Sequence, residues 1–254
     1  MTISLCIPSF NFNSFGNLLN QVLDDSEQNC FKMIDILQEN SHFVDALNVS
    51  LNCYKDDKND VEILWRIARS YFDIADQSTD VVAQKENIDS ALPYAENALS
   101  INPLSSKANH YYAVIIGRKG VLEGTKQKII NSYEVKKYCL KAIELDSTYD
   151  NSYHVMGRWH YNVADLSWVE RNIASLAYAT PPVGSFAEAI NYFKSAKNLN
   201  PDDIRHYLWL GKSYLANYES DEARNILKEG MKIETTNESD NILKNKIKEL
   251  LSKL

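Results

Sequence analysis

Glycine and proline, the residues that most often form turns, are scarce in this chain, with eight and six among 254 residues. Folds built from many strands need frequent turns, so this scarcity favours an all-α fold with long helices. No run of about 18 uncharged apolar residues is present, as a membrane-spanning helix would need. The first residues, MTISLCIPSFNFNSF, have neither the basic nor the long apolar region of a secretory signal. We therefore expect a soluble, cytoplasmic protein without a membrane anchor.

The residue patterns of common enzyme families are also missing. The chain has no H-E-x-x-H or G-x-S-x-G motif, and the glycines within 117–124 are spaced unlike a phosphate-binding or dinucleotide-binding loop. The cysteines are Cys6, Cys30, Cys53 and Cys139; none forms a C-x-x-C pair, and no histidine lies at metal-ligand spacing from them. We expect no enzyme activity, no cofactor and no metal site, and we interpret the cysteines as unpaired thiols in a reducing compartment.

An overall basic charge is lacking too, because the formal net charge is −7. Nucleic acids select strongly basic domains, so we expect no binding to nucleic acid. One segment departs from this balance: residues 118–141 contain seven basic and two acidic side chains, an excess of five positive charges. The basic residues are Arg118, Lys119, Lys126, Lys128, Lys136, Lys137 and Lys141.

The chain does contain an internal repeat of small and large apolar residues. A tetratricopeptide unit is a pair of helices, A and B, of about 34 residues, in which small residues allow close packing and large ones fill the gaps. The clearest unit has Tyr207, Leu210, Gly211 and Tyr214 in helix A and Ala223, Leu227 and Gly230 in helix B. The sequence thus predicts a solenoid of tetratricopeptide-like helical hairpins.

Three earlier units are longer than the standard repeat. The similar phrases NALSINP, KAIELDS and SAKNLNP mark their ends. The first two units carry roughly ten extra residues between their halves, and the third carries roughly 20 within 162–185. Either longer helices or wider loops would accommodate these expansions. Ser185 followed by Glu188 forms a capping box, which predicts a helix from Phe186 to Leu199.

The two ends of the chain do not show the repeat. Apolar spacing predicts short helices near 14–24, 28–39 and 42–54, followed by a polar hinge, KDDKND, at 55–60. The C-terminal ILKNKIKELLSKL is amphipathic, as a helix that caps a repeat array should be. We predict three parts: short helices and a hinge at 1–60, an array of about four units at 61–236, and a C-terminal capping helix at 237–254.

Four long phrases carry a resemblance to a known family. They are YKDDKNDVEILWRIARS (54–70), LEGTKQKIINSYEVKKYCLKAIELD (122–146), HVMGRWHYNVADLSWVERNIASLAYATPP (154–182) and FAEAINYFKSAKNLNP (186–201). Over about residues 50–235 the chain resembles the regulator of microtubule dynamics protein family. The resemblance implies a helical array that associates with microtubules and tubulin at the cytoskeleton and spindle, and that influences microtubule growth and chromosome segregation. Some members of that family are anchored in membranes and act at organelle contacts.

Microtubule surfaces are acidic, so the basic segment is the first candidate site. The candidate side chains are Lys119, Lys126, Lys128, Lys136, Lys137 and Lys141. If one helix begins near residue 125, Lys126, Lys137 and Lys141 share a face, since eleven residues make nearly three turns. The alternative is an ordinary solvated face with intrahelical pairs, such as Glu134 with Lys137.

The second candidate is the concave groove of the array, since such surfaces bind extended peptides or helices. His154, Arg158 and His206 lie on predicted A helices outside the repeat consensus, so they are the candidate groove residues. Tyrosines on or near consensus positions are expected to pack in the core; they are Tyr112, Tyr153, Tyr161 and Tyr207. In the insertion, we expect Trp168 and Leu176 to pack against the array, because an exposed tryptophan is unfavourable.

Three functions stay open at this point. The chain could be a microtubule regulator that uses its basic surface, or an adaptor that captures peptides or proteins in its groove. It could also be a lipid carrier with an apolar cavity between widened repeats.

Overall fold

The computed structural model describes residues 27–55, 58–177, 182–235 and 238–254, and within these ranges the chain forms twelve α-helices and no strand. In chain order the helices are α1 (Glu27–Glu39), α2 (Phe43–Cys53), α3 (Val61–Gln77), α4 (Val81–Ile101), α5 (Ser106–Glu123), α6 (Thr125–Leu145), α7 (Asp150–Ala164), α8 (Trp168–Ala177), α9 (Phe186–Leu199), α10 (Ile204–Ala216), α11 (Ser220–Gly230) and α12 (Glu238–Leu251). None of these helices is long and apolar enough to cross a membrane.

The helices pack as a row of hairpins. The pairs are α1–α2, α3–α4, α5–α6, α7–α9 and α10–α11, and each hairpin also contacts the next one. At the C-terminal end, α12 packs on α10 and α11 and buries Ile247 completely. The predicted all-α solenoid of helical hairpins with a C-terminal capping helix is therefore confirmed.

The expanded units accommodate their extra residues in two ways. In the first two, the helices are long: α4 and α6 have 21 residues each and α5 has 18. In the third, the insertion forms the separate helix α8 between α7 and α9. The predicted capping box before α9 is present, because the Glu188 backbone N–H donates to Ser185 Oγ at 3.1 Å.

Close approach of helices A and B explains the glycines at two repeat positions. A methyl group added to Gly157 would lie 2.7 Å from the Phe193 ring, and one added to Gly211 would lie 2.5 Å from Leu227. Real Cβ atoms do not approach other atoms so closely, so both hairpins depend on the missing side chain.

The N-terminal hairpin continues the array. Helices α1 and α2 agree with the predicted segments 28–39 and 42–54, whereas the segment near 14–24 lies outside the described residues. Ile34 and Ala46 share one buried cluster with Ile63 and Ile67 of α3. Because this core crosses residue 60, the hairpin packs on the first repeat, while the predicted division into three parts stays a prediction.

The interpretation of all cysteines as unpaired thiols is wrong for two of them. Cys30 of α1 and Cys53 of α2 form a disulfide, with their Cα atoms 6.7 Å apart. The hairpin brings together residues that are 23 positions apart in sequence, so a search for C-x-x-C spacing could not find the pair. Cys139 is a free, buried thiol as expected, and Cys6 lies outside the described residues.

Candidate functional site

Side chains reach from each A-type helix to the next, along the series α3, α5, α7 and α10. The bridging pairs are Asp76 with Arg118, Tyr111 with Tyr149, His110 with Ser152, Asn151 with Arg205, His154 with His206, and Arg158 with Trp209. The face that these helices share is termed the groove below. Its N-terminal end is formed by α1 and α3, and its C-terminal end by α7 and α10.

Cations at the N-terminal end have acidic partners. Arg66, only 8% exposed, places Nη2 2.7 Å from Asp35 Oδ2 and Nη1 2.9 Å from Glu62 Oε2. Arg69 places Nε 3.4 Å from Asp73 Oδ2. These guanidinium groups are neutralised within the fold, so we interpret them as structural.

A buried polar layer joins α5 to α7 in the middle of the groove. His110 Nδ1 lies 3.0 Å from Ser152 Oγ, and the hydroxyls of Tyr111 and Tyr149 lie 3.2 Å apart. Burial, together with the positive charge of Lys107, lowers the pKa of His110 from 6.5 to about 3. This histidine is therefore neutral at physiological pH and serves as a hydrogen-bonding core residue.

A second buried layer joins α7 to α10. His206 Nε2 lies 3.0 Å from Asp150 Oδ2, and His206 Nδ1 lies 2.9 Å from His154 Nδ1. Burial, followed by the charges of Arg205 and His206, holds the pKa of His154 well below its ordinary value. Because His154 is neutral, its Nδ1–H can donate to His206 Nδ1. His206 can then donate its Nε2–H to Asp150, so that both contacts are hydrogen bonds.

The same layer contains the three side chains best placed to hold a metal ion. Asp150, Asp203 and His206 each offer one ligand atom within 4.8 Å of the others. Positive charge is already supplied there, because Arg205 Nε donates to both carboxylate oxygens of Asp203 at 2.9 Å. We therefore interpret this cluster as structural.

The C-terminal end of the groove is built around Trp209. Arg158 of α7 places Cζ 4.7 Å from the centroid of the Trp209 ring, and Lys212 of α10 places Nζ 4.4 Å from it. Phe193 and Tyr161 pack on the same indole, with centroid distances of 6.2 and 5.5 Å. The indole thus has a fixed position and carries two cations.

Neither of these cations has a carboxylate within 4.0 Å in the part of the chain that the structure describes. Desolvation lowers the pKa of Arg158; the charge of Asp76 raises it in part, and the charges of Arg118 and Arg205 lower it further. Desolvation also lowers the pKa of Lys212, as do the charges of Arg158 and Lys246, while Asp165 acts in the opposite direction. More distant acids therefore offset part of the positive charge at this end, but no ion pair among the described residues compensates it.

The three predicted groove residues lie at different depths. Arg158 is exposed and lies on Trp209, whereas His154 and His206 are 6% and 0% exposed. The histidines therefore form the floor of the groove, and any contribution to binding is indirect in this conformation. The binding role of all three residues stays a prediction.

Sequence reasoning missed Trp209 and Lys212. Arg205, Trp209 and Lys212 occur at i, i+4 and i+7 of α10, which places them on one helix face. That spacing was readable from the sequence, but the approach of Arg158 to Trp209 depends on how α7 packs against α10.

The basic segment is one helix from residue 125 on, as the shared lysine face requires. Folding reduces its charge excess, because other helices supply acids: Lys119 pairs with Asp89 at 2.5 Å, and Lys128 with Glu170 at 3.5 Å. Lys136 lies over the Trp159 ring at 4.7 Å. The positive charge counted along the sequence is thus partly neutralised in space.

Three lysines on this face keep only weak partners or none. Lys137 is 62% exposed and pairs with Glu134 at 3.5 Å, and Lys141 pairs with Glu144 at 3.0 Å on the same helix. Lys126 is exposed, with no acid within 4.0 Å among the described residues. An open cleft of about 460 Å³ lies beside Lys137 and Lys141 and is also lined by Leu99, Pro103, Asn109, Tyr138, Leu140 and Glu144.

The expected packing of the insertion is wrong in one respect. Trp168 is 77% exposed and Leu176 is 90% exposed. Polar contacts attach α8 instead, because Glu170 pairs with Lys128 and Arg171 donates to the Ala164 carbonyl oxygen at 3.0 Å. Charged side chains of α8, Glu170 and Arg171, thus contact the array.

Comparison with known proteins identifies the family of this chain. Residues 30–254 match the family model described as Regulator of microtubule dynamics protein 1-3. The chain belongs to this family. The match extends beyond the 50–235 predicted from the sequence phrases, and it includes α1, α2 and the capping helix α12.

Individual relatives agree with this assignment. Regulator of microtubule dynamics protein 1 of Caenorhabditis elegans is 30% identical over 223 residues, which cover 88% of this chain and 98% of that protein. The Bos taurus protein of the same name is 36% identical over 211 residues, covering 80% and 66%, and the Mus musculus protein is 41% identical over 164 residues, covering 64% and 53%. This chain thus spans about half to two thirds of these mammalian relatives.

Solved structures agree on the fold. A thermophilic TPR protein of Thermus thermophilus superposes with a TM-score of 0.65 at 15% identity, over 89% of this chain and 100% of that one. The Pseudomonas aeruginosa pilF structure gives a TM-score of 0.55 at 11% identity, over 89% and 87%. The similarity to these structures shows a tetratricopeptide-like fold.

Proposed function

We propose that this chain is a non-catalytic helical-repeat scaffold that associates with microtubules and regulates their dynamics. The observation that carries the proposal is family membership over residues 30–254, because the relatives are named as regulators of microtubule dynamics. A cytoplasmic location on the cytoskeleton and spindle, with a role in chromosome segregation, is part of the same proposal. The proposed partners are tubulin and the microtubule lattice.

The lysine face of α6 is the surface that best fits an acidic lattice. Lys126, Lys137 and Lys141 lie on one side of a single helix. The pairs with Glu134 and Glu144 lie at the surface, where ion pairs contribute only about 0–1 kcal/mol. These lysines can therefore exchange their partners for acidic groups on a lattice at little cost.

Co-sedimentation with polymerised tubulin tests the proposal. The wild-type chain should pellet with microtubules, and pelleting should fall as salt rises, since screening weakens exposed charge interactions. Replacement of Lys126, Lys137 and Lys141 by Glu should weaken binding about tenfold or more, because attraction becomes repulsion.

A matched control keeps the change in net charge but moves it elsewhere. Lys85, Lys228 and Lys248 are exposed lysines on α4, α11 and α12, and their replacement by Glu should leave pelleting near the wild-type level. Equal pelleting of the wild type and the α6 variant would show that the lysine face of α6 is not the microtubule-binding surface. Absence of pelleting by the wild type would eliminate the proposed function.

A second candidate function is an adaptor that captures peptides or proteins in the groove. The observation that favours it is the uncompensated pair of cations on Trp209. A lipid carrier at organelle contacts is less well supported, because the cleft beside α6 is open and has lysines at its rim.

A further inference from the structure

We propose that the C-terminal end of the groove binds an acidic, extended peptide segment of a partner protein. The site consists of Arg158, Trp209 and Lys212. Beside them lie Arg205, which is paired with Asp203, and Arg118, which is paired with Asp76. This inference rests on the adaptor function and is independent of the lysine face on α6.

Charge is the first argument. Arg158 and Lys212 share one indole and have no carboxylate within 4.0 Å in the described part of the chain. Arg118 Nε is buried and has no hydrogen-bond acceptor among the described residues. Carboxylates of a ligand would supply the ion-pair partners that Arg158 and Lys212 lack.

Preorganisation is the second argument. The Trp209 indole is fixed by Phe193 and Tyr161, and it holds the heads of Arg158 and Lys212 in place. Below it, the buried pair of His154 and His206 joins α7 to α10. Cations that are already ordered lose less side-chain entropy on binding, so more of the interaction energy appears as affinity.

Spacing identifies an extended peptide as the occupant. Arg205 and Lys212 are seven residues apart on α10, which separates them by about 10 Å along the helix axis. In an extended chain, side chains on one side recur about every 6.8 Å, so two acidic residues can lie along this row, the first of them beside the unpaired Arg158 and Lys212. A single phosphate would meet only one part of the row.

Fluorescence anisotropy with a labelled oligoglutamate peptide tests the inference on the full chain. The wild type should bind oligoglutamate but not the oligoglutamine analogue, and affinity should fall as salt rises. The double variant Arg158→Gln/Lys212→Gln should bind about tenfold more weakly, because two charge-assisted contacts are lost. The matched control Lys85→Gln/Lys228→Gln, which loses the same charge from α4 and α11, should bind like the wild type.

Several results would overturn the inference. These are no binding of oligoglutamate by the wild type, equal binding by the double variant, or full displacement by inorganic phosphate at matched ionic strength. Binding of phosphatidylserine vesicles that the double variant abolishes would assign the site to lipid instead.

Co-sedimentation of the wild type, compared with its binding of oligoglutamate, separates the two proposals. If the wild type pellets with microtubules but does not bind oligoglutamate, only the peptide site is eliminated. If oligoglutamate binds as expected but the wild type does not pellet, the microtubule function is eliminated and the peptide site stands.

Discussion

Each end of the groove places an arginine over a tryptophan, yet the two arrangements differ in charge. At the N-terminal end, Arg66 Cζ lies 4.1 Å from the Trp65 ring centroid, and Asp35 and Glu62 neutralise the guanidinium. At the C-terminal end, Arg158 lies 4.7 Å from the Trp209 centroid with no acid within 4.0 Å among the described residues. The same pair of residue types is thus structural at one end and available for a partner at the other.

The largest expected effect comes from exchanging these two arginines for leucine. Arg66→Leu breaks the ion pairs of this buried guanidinium with Asp35 and Glu62 and leaves Asp35 only the longer contact with Arg69 at 3.9 Å, so it should lower the free energy of unfolding by about 3 kcal/mol. Arg158→Leu removes an exposed cation that has no ion pair among the described residues, so it should change stability by no more than about 0.5 kcal/mol. Urea unfolding of both variants measures the contrast, and equal losses would contradict it.

An effect of intermediate size is expected when a methyl group is added to glycines at two helix contacts of the array. Gly211→Ala places a methyl group 2.5 Å from Leu227 between α10 and α11, and such overpacking costs about 1–3 kcal/mol. In the expanded unit, Gly117→Ala meets Val135 at 3.3 Å, which a small shift relieves, so its loss should be about 1 kcal/mol or less. Thermal unfolding of both variants measures the two losses of stability. A larger loss for Gly117→Ala than for Gly211→Ala would contradict this prediction.

At neutral pH the smallest effect is that of His110, at the junction of the two ends, because it appears only as the pH falls. Unfolded, this histidine titrates near 6.5, and in the fold its pKa falls to about 3. Below pH 6.5 the unfolded chain therefore binds a proton that the native chain does not. Above pH 6.5 the titration of His110 leaves the free energy of unfolding unchanged. As the pH falls from 6.5 toward 3, this free energy decreases by about 1.4 kcal/mol per pH unit.

The variant His110→Asn should show a shallower decline in unfolding free energy across this pH range than the wild type. His42→Asn is the control, because the His42 side chain is 41% exposed, whereas His110 is buried. Equal slopes for the wild type and His110→Asn would show that His110 does not keep its neutral form in the fold.

Local sequence patterns predicted the fold well. The glycine and alanine positions of the repeat depend on neighbours within one hairpin, so positions such as Gly211 and Leu227 could be assigned from their spacing. The lysine face of α6 was predictable for the same reason, since it requires only one continuous helix.

Contacts between distant parts of the chain were not predictable. The count of charges in 118–141 omitted Asp89 and Glu170, because these acids come from α4 and α8. The Cys30–Cys53 disulfide likewise depends on the turn between two helices. The approach of Arg158 to Trp209 depends on the packing of α7 against α10, so residue types alone could not identify that site.

The indole N–H resonances of Trp65 and Trp209 offer the most direct test of the contrast between the two ends. In the wild-type chain, Trp65 Nε1 donates to Glu62 at 3.0 Å within the neutralised end, while Trp209 carries the uncompensated cations. During an NMR titration with oligoglutamate, the Trp209 resonance should shift in proportion to peptide bound while the Trp65 resonance stays in place. Equal shifts of both, or a shift of Trp65 alone, would contradict the assignment of the C-terminal end as the acidic-peptide site.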